Sequence, residues 1–135
     1  MKVPVYIGTF FMPDKKGLIY LAKKEPMTDT ADKGQIQHFV MFWLKPQLTK
    51  AEIAEFANFF ESLKPIKYIK TLSYGLAANT PVRPVTDNSF TYSLTITFAN
   101  IADHNAYQED KTHLDAVEKF SKNWYRVVVH DTVIL

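Results

Sequence analysis

From Phe90 to Phe98 the chain reads Phe-Thr-Tyr-Ser-Leu-Thr-Ile-Thr-Phe, with a large apolar or aromatic residue at every even position and Ser or Thr at every odd one. Successive side chains of a β-strand point to opposite faces, so this strict period of two predicts a strand with one core face and one mildly polar face. The rest of the chain must supply the cover for that core face. Ile36–Lys45 is a second strand, apolar on both faces, and Pro46 ends it.

Thr49-Lys50-Ala51-Glu52 reads as a capping box, in which the Thr49 hydroxyl accepts the Glu52 amide and the Glu52 carboxylate reaches back. The helix that follows is expected to run to Leu63, with Ile53, Phe56, Phe60 and Leu63 in one apolar stripe facing a sheet. Tyr68–Leu76 is a further strand, and residues 77–89, with Pro81 and Pro84, form an irregular loop. Asn100 caps a short helix through Tyr107. A second helical stretch from Thr112 to Lys122 places His113, Val117, Phe120 and Trp124 roughly on one face. Trp124–Ile134 is the last strand. The order is β-α-β-β-α-β, which predicts an α+β, ferredoxin-like protomer: an antiparallel sheet with helices on one face.

Helices on one face leave the other open. The first strand of this unit carries Phe39, Met41 and Trp43 on the side opposite His38, Val40 and Phe42, and neither row is cheaply left in water. Two such sheets packed face to face about a two-fold axis would bury the open row, so a homodimer through the open sheet face is expected.

The domain spans residues 36–135, and residues 1–35 form an N-terminal extension. Within it Val3–Phe11 and Leu18–Ala22 read as two short strands around the turn 13–17, and residues 23–34 as a polar linker, with Met27 as an alternative start. A lone hairpin is marginal in water, so it docks on the main domain, pairs with a partner or is disordered; docked on the open sheet face it would cover that row within one chain, the alternative to the dimer. The start of the chain lacks a signal-peptide pattern and no run reaches the roughly 20 apolar residues of a membrane helix, so a soluble, cytoplasmic protein is expected.

With 47 % hydrophobic and 14 % aromatic residues there is ample material for a core. Sixteen Lys+Arg against fourteen Asp+Glu leave a net charge of +2, which gives no reason to expect nucleic acid or membrane as a partner. The absence of cysteine excludes disulfides, thiolate metal sites and a cysteine nucleophile. Four glycines build no phosphate loop, and no Gly-x-Ser-x-Gly elbow is present. A metal trio of His38, Asp110 and His113 lacks any metal-binding helix spacing, so neither a metal nor a cofactor is assigned.

Three segments together resemble the stress-responsive A/B barrel family over residues 36–135. They are the His-bearing strand Gln37-His38-Phe39-Val40-Met41-Phe42, the helix entry Lys45-Pro46-Gln47-Leu48-Thr49, and the run from Phe98 through Tyr107 to His113. The family motif in that last run is Tyr-x-x-His-Pro-x-His; here Asp110-Lys111 replaces the His-Pro. The resemblance implies a dimeric α/β barrel. The family holds stress-associated proteins and a polyketide cyclase that closes its substrate by aldol condensation with a Tyr/His pair. By resemblance Tyr107 and His113 fall on that pair, His38 on a pocket-wall His, and Tyr92 on a polar strand position of the same pocket.

A His that titrates near neutrality can move a proton, and a Tyr hydroxyl can donate to a developing alkoxide. Val40, Phe42, Phe56, Phe60, Leu94, Ile96, Val117 and Phe120 are expected as apolar walls for a small hydrophobic or aromatic ligand. His104 and His130 read as surface or strand-face residues without a role. Three functions stay open: a small-molecule binder or cofactor-free, cyclase-like enzyme; a non-enzymatic stress-associated assembly protein in which the same residues pack the core; and a cofactor-free monooxygenase of the same architecture.

Overall fold

A computed structural model describes residues 32–135 and the backbone of two short strands before them, Met12–Pro13 (β1) and Ile19–Tyr20 (β2). β1 and β2 pair antiparallel, with Pro13 opposite Ile19, so Pro13 is a strand residue where a turn residue was expected. The expected strand Val3–Phe11, residues 23–31 of the linker, and Met27 lie outside the described residues.

The main unit, Gly34–Ile134, follows the order β3 (Ile36–Leu44), α1 (Lys50–Glu55), α2 (Ala57–Leu63), β4 (Ile69–Leu76), β5 (Tyr92–Phe98), α3 (Ile101–Glu109), α4 (Lys111–Phe120), a single 3-10 turn (Ser121–Asn123) and β6 (Trp124–Val133). Its sheet runs β4-β5-β3-β6, antiparallel throughout, which is the ferredoxin-like arrangement. No helix among the described residues is long and apolar enough to cross a membrane.

The local signals in the sequence act as read. Thr49 and Glu52 form both bonds of the capping box, at 3.1 and 3.0 Å. Asn100 caps α3 by accepting from the Asp103 amide at 2.8 Å. The helix expected to be continuous to Leu63 instead tightens at Phe56, whose N–H is shared between the Glu52 and Ile53 carbonyls while the Phe59 amide donates to Phe56. That tighter turn brings Phe59 into the core beside Phe56, Phe60 and Leu63.

The core is a cluster of rings. Phe42 of β3 lies within 5.6 Å, centroid to centroid, of Phe56, Phe59, Phe60 and Trp124. Tyr92 stacks on Phe56 at 5.7 Å, and its hydroxyl donates to the Ile53 carbonyl at 2.9 Å, tying β5 to α1. Inward positions of β3 and β5 are buried and outward ones half-buried, apart from Trp43. Trp43 faces outward yet is covered within the chain: the Arg126 guanidinium lies 4.3 Å over its ring, Phe90 meets its edge, and its Nε1–H donates to Ser89.

Phe60 has no solvent exposure and touches rings from β3, the α1–α2 junction, α2, β4 and β5. Phe60→Ala is expected to cost about 3–5 kcal/mol, read as a lower urea midpoint with unchanged slope at fixed protein concentration.

Candidate functional site

The site begins with His38, a buried imidazole in the inward apolar row of β3. The sheet register sets it opposite Asp131 of β6, and Nδ1 lies 2.6 Å from the Asp131 Oδ1. A carboxylate only accepts, so Nδ1 carries the hydrogen and donates it, leaving the lone pair on Nε2. Burial lowers the His38 pKa below its ordinary value and outweighs the opposing pull of Asp131, which keeps the ring neutral at pH 7.

Tyr107 points inward from α3 with 1 % of its surface exposed. Burial drives its hydroxyl far above the usual range, so it stays protonated and is available to donate a hydrogen bond. Its ring lies 4.3 Å from that of His113, which follows on α4. The Nδ1–H of His113 donates to the Gln108 carbonyl at 3.2 Å, again leaving Nε2 with a lone pair. Burial foremost lowers the His113 pKa as well.

Asp110, which replaces the family's motif His, ends α3 and caps α4, its Oδ1 accepting from the Thr112 amide at 2.9 Å. Lys111 then occupies the first helical position, where proline is also favoured. The cap fixes the turn that proline would otherwise shape. His113 keeps its place on Tyr107.

His38, Tyr107 and His113 line one cavity of about 130 Å³ together with Val40, Phe42, Leu94, Val117, Phe59, Gln108, Trp124, Val127 and Val129. Five expected members lie elsewhere. Phe56, Phe60, Ile96 and Tyr92 are buried in the core instead, Phe56 and Phe60 packing on Phe42 and Tyr92. Phe120 packs on Phe56 and Phe59 and faces shallow surface clefts. Asp110 is a helix cap, remote from the role of third metal ligand weighed for it.

Two residues escaped the sequence reading. His104, expected at the surface, is mostly buried, its ring 5.4 Å from that of His38. Asp131, not singled out at all, holds His38. Signals for both exist: Asp131 interrupts the inward alternation Val127, Val129, Val133 with a charge, and His104 shares the inward face of α3 with Tyr107 at a spacing of three.

This is a ferredoxin-like α+β domain with a pocket between sheet and helices, apolar in its walls and bearing three titratable groups. The stress responsive A/B barrel domain family matches residues 36–134, and the chain belongs to it. Among solved structures, the chain is similar to a hydroxynitrile lyase from Passiflora edulis, with 22 % identity, 77 % of this chain and 95 % of that one covered, and a TM-score of 0.65. It is similar to a protein of the same family from Mesorhizobium loti, with 21 % identity, 76 % and 99 % covered, and a TM-score of 0.63. It is also similar to a dimeric ferredoxin-like protein of unknown function from Bacteroides fragilis, with 20 % identity, 76 % and 98 % covered, and a TM-score of 0.61. No curated protein matches the chain.

Both cavity imidazoles hold a proton less tightly in the folded domain than in the unfolded chain. Acid therefore favours unfolding: stability is full above about pH 6.5 and falls as the pH drops toward the lowered folded values. The thermal midpoint is expected to fall between about pH 7 and pH 5, and His113→Phe, which keeps a ring against Tyr107, is expected to flatten that slope in scanning fluorimetry.

Proposed function

We propose that this protein is a homodimer that binds a small apolar or aromatic compound in the cavity between sheet and helices, and that Tyr107 and His113 perform cofactor-free acid/base chemistry on it. The observation that carries the reading is the convergence of His38, Tyr107 and His113 on one cavity whose other walls are almost wholly apolar. In such a pocket the Tyr107 hydroxyl donates to a carbonyl or alkoxide oxygen, while Nε2 of His113 takes a proton from the bound compound and returns it to the product. The similarity to a hydroxynitrile lyase supports proton transfer on a small hydroxyl or carbonyl compound as the reaction class.

Size narrows the occupant. A volume of about 130 Å³ matches cavities that accept a benzene-sized molecule and is well below the roughly 300–1,000 Å³ of drug-sized pockets. The full packing of Phe56 and Phe60 favours a second reading, a non-enzymatic assembly protein whose dimer is its function. Native mass spectrometry separates the two. A dimer carrying a discrete extra mass supports the binding reading, and a bare dimer favours assembly. His113→Ala is expected to abolish turnover of a responsive carbonyl compound while the dimer mass persists; loss of the dimer together with the His would assign that residue to structure.

The dimer face in this reading is the open side of the sheet. Phe39, Met41 and Val128 form a half-buried apolar strip there, bordered by Ser93, Thr95 and His130. Trp43 contributes less than its row suggests, because Arg126 and Phe90 already cover it. Phe39→Asp is expected to give a folded monomer by size-exclusion light scattering, since it places a charge in the strip without touching the core. A persistent dimer would move the interface elsewhere.

A further inference from the structure

We infer that His38, His104 and Asp131 form a site for a first-row divalent transition ion of the zinc type, where β3, β6 and α3 meet. Each of the three offers one ligand atom, and these atoms all lie within 4.8 Å of one another. The Asp131 carboxylate bridges the two imidazoles, with Oδ1 2.6 Å from Nδ1 of His38 and Oδ2 3.7 Å from Nε2 of His104.

His104 supplies the second, independent observation. Its Nδ1–H donates to the Asn105 Oδ1 at 3.0 Å, which leaves the lone pair on Nε2. That Nε2 is buried and has no hydrogen-bond partner. With the hydrogen on Nδ1, the Nε2 lone pair and a carboxylate oxygen face each other, an arrangement that a cation shared between them satisfies. The 3.7 Å gap is too long for a hydrogen bond. It is close to the separation of two ligand atoms in one tetrahedral shell, about 3.3 Å for bonds of about 2.0–2.1 Å. Closing the shell requires the His38–Asp131 pair to open by less than about 1 Å and the widest-spaced ligand atoms, within 4.8 Å, to approach by up to about 1.5 Å, both by side-chain rotation.

The donor set suits the metal. Two imidazole nitrogens and one carboxylate oxygen are zinc-type ligands, and three protein ligands leave a fourth position open. An outward cleft lined by Ile36, Ile101, Asn105 and Thr132 reaches His104 and Asp131, giving ion and water a way in. Asn105 plays the supporting part usual for a ligating His, holding its second nitrogen and so its ring orientation. One consequence rests on the acid/base reading of the cavity. A metal on Nδ1 of His38 moves the ring hydrogen to Nε2, turning that nitrogen from an acceptor into a donor, whereas the site itself stands without that reading.

The test titrates tag-free, metal-stripped full-length protein with Zn²⁺ by calorimetry, and with Co²⁺ as a spectroscopic probe. One Zn²⁺ per chain is expected, together with the visible absorption of four-coordinate Co²⁺. His104→Leu and Asp131→Asn are each expected to weaken Zn²⁺ binding by about 100-fold while keeping the unfolding midpoint of the metal-free protein. His130→Ala, on the open sheet face, should bind as the parent does. Absence of stoichiometric binding, equal affinity in His104→Leu, or loss of binding in His130→Ala would each overturn the site. Metal occupancy is read without turnover, so its failure is distinct from failure of the acid/base chemistry.

Discussion

The pairing of β3 on both edges is the constraint on which the rest depends. β5 and β6 hydrogen-bond it from Ile36 to Phe42, so its register is set twice over. A slip of one residue would turn Phe39 and Met41 inward and carry His38 to the open face. The ring cluster around Phe42 forbids that, because Phe42 is the position at which the α1–α2 junction, α2 and β6 all converge. The placement of His38 opposite Asp131 is thus inherited from the packing of hydrocarbon several residues away. The polar site is as well defined as the apolar core because both are read off one strand.

Local patterns were legible, and features that depend on how elements share space were not. The alternation through Phe98, the capping box at Thr49 and the cap at Asn100 are each decided within a few residues, and each is present. The alternation overreaches at its start: Phe90 is in phase with the core residues, yet the strand begins at Tyr92 and Phe90 packs on Trp43. Tyr107 and His113 met as expected, since one short turn separates their helices. Which phenylalanines would line the cavity was decided by the tightened turn at Phe56, which no side-chain pattern announces. The contacts of His104 and Asp131 with His38 join three segments far apart in the chain, so only their inward phase was visible beforehand.

Asp110-Lys111 stands where the motif this chain resembles reads His-Pro, and here a side-chain cap fixes the entry of α4. Proline stiffens a helix entry through its ring, and an aspartate cap does so by accepting an amide at the same point. The substitution also puts a carboxylate, favoured by the helix dipole, at the entry of α4. The contact of Tyr107 with His113 depends on where α4 begins, and the Asp110 cap marks that point.

The chain's two tryptophans, Trp43 and Trp124, fall on opposite sides of the sheet. Trp124 forms part of the cavity wall, whereas Trp43 lies on the face of the sheet away from the helices, beneath Arg126. The molecule therefore carries a separate built-in fluorophore for each of its two surfaces. A compound filling the cavity would change the surroundings of one indole, and association through the proposed dimer face those of the other, so single-tryptophan versions would report the two events as distinct optical signals.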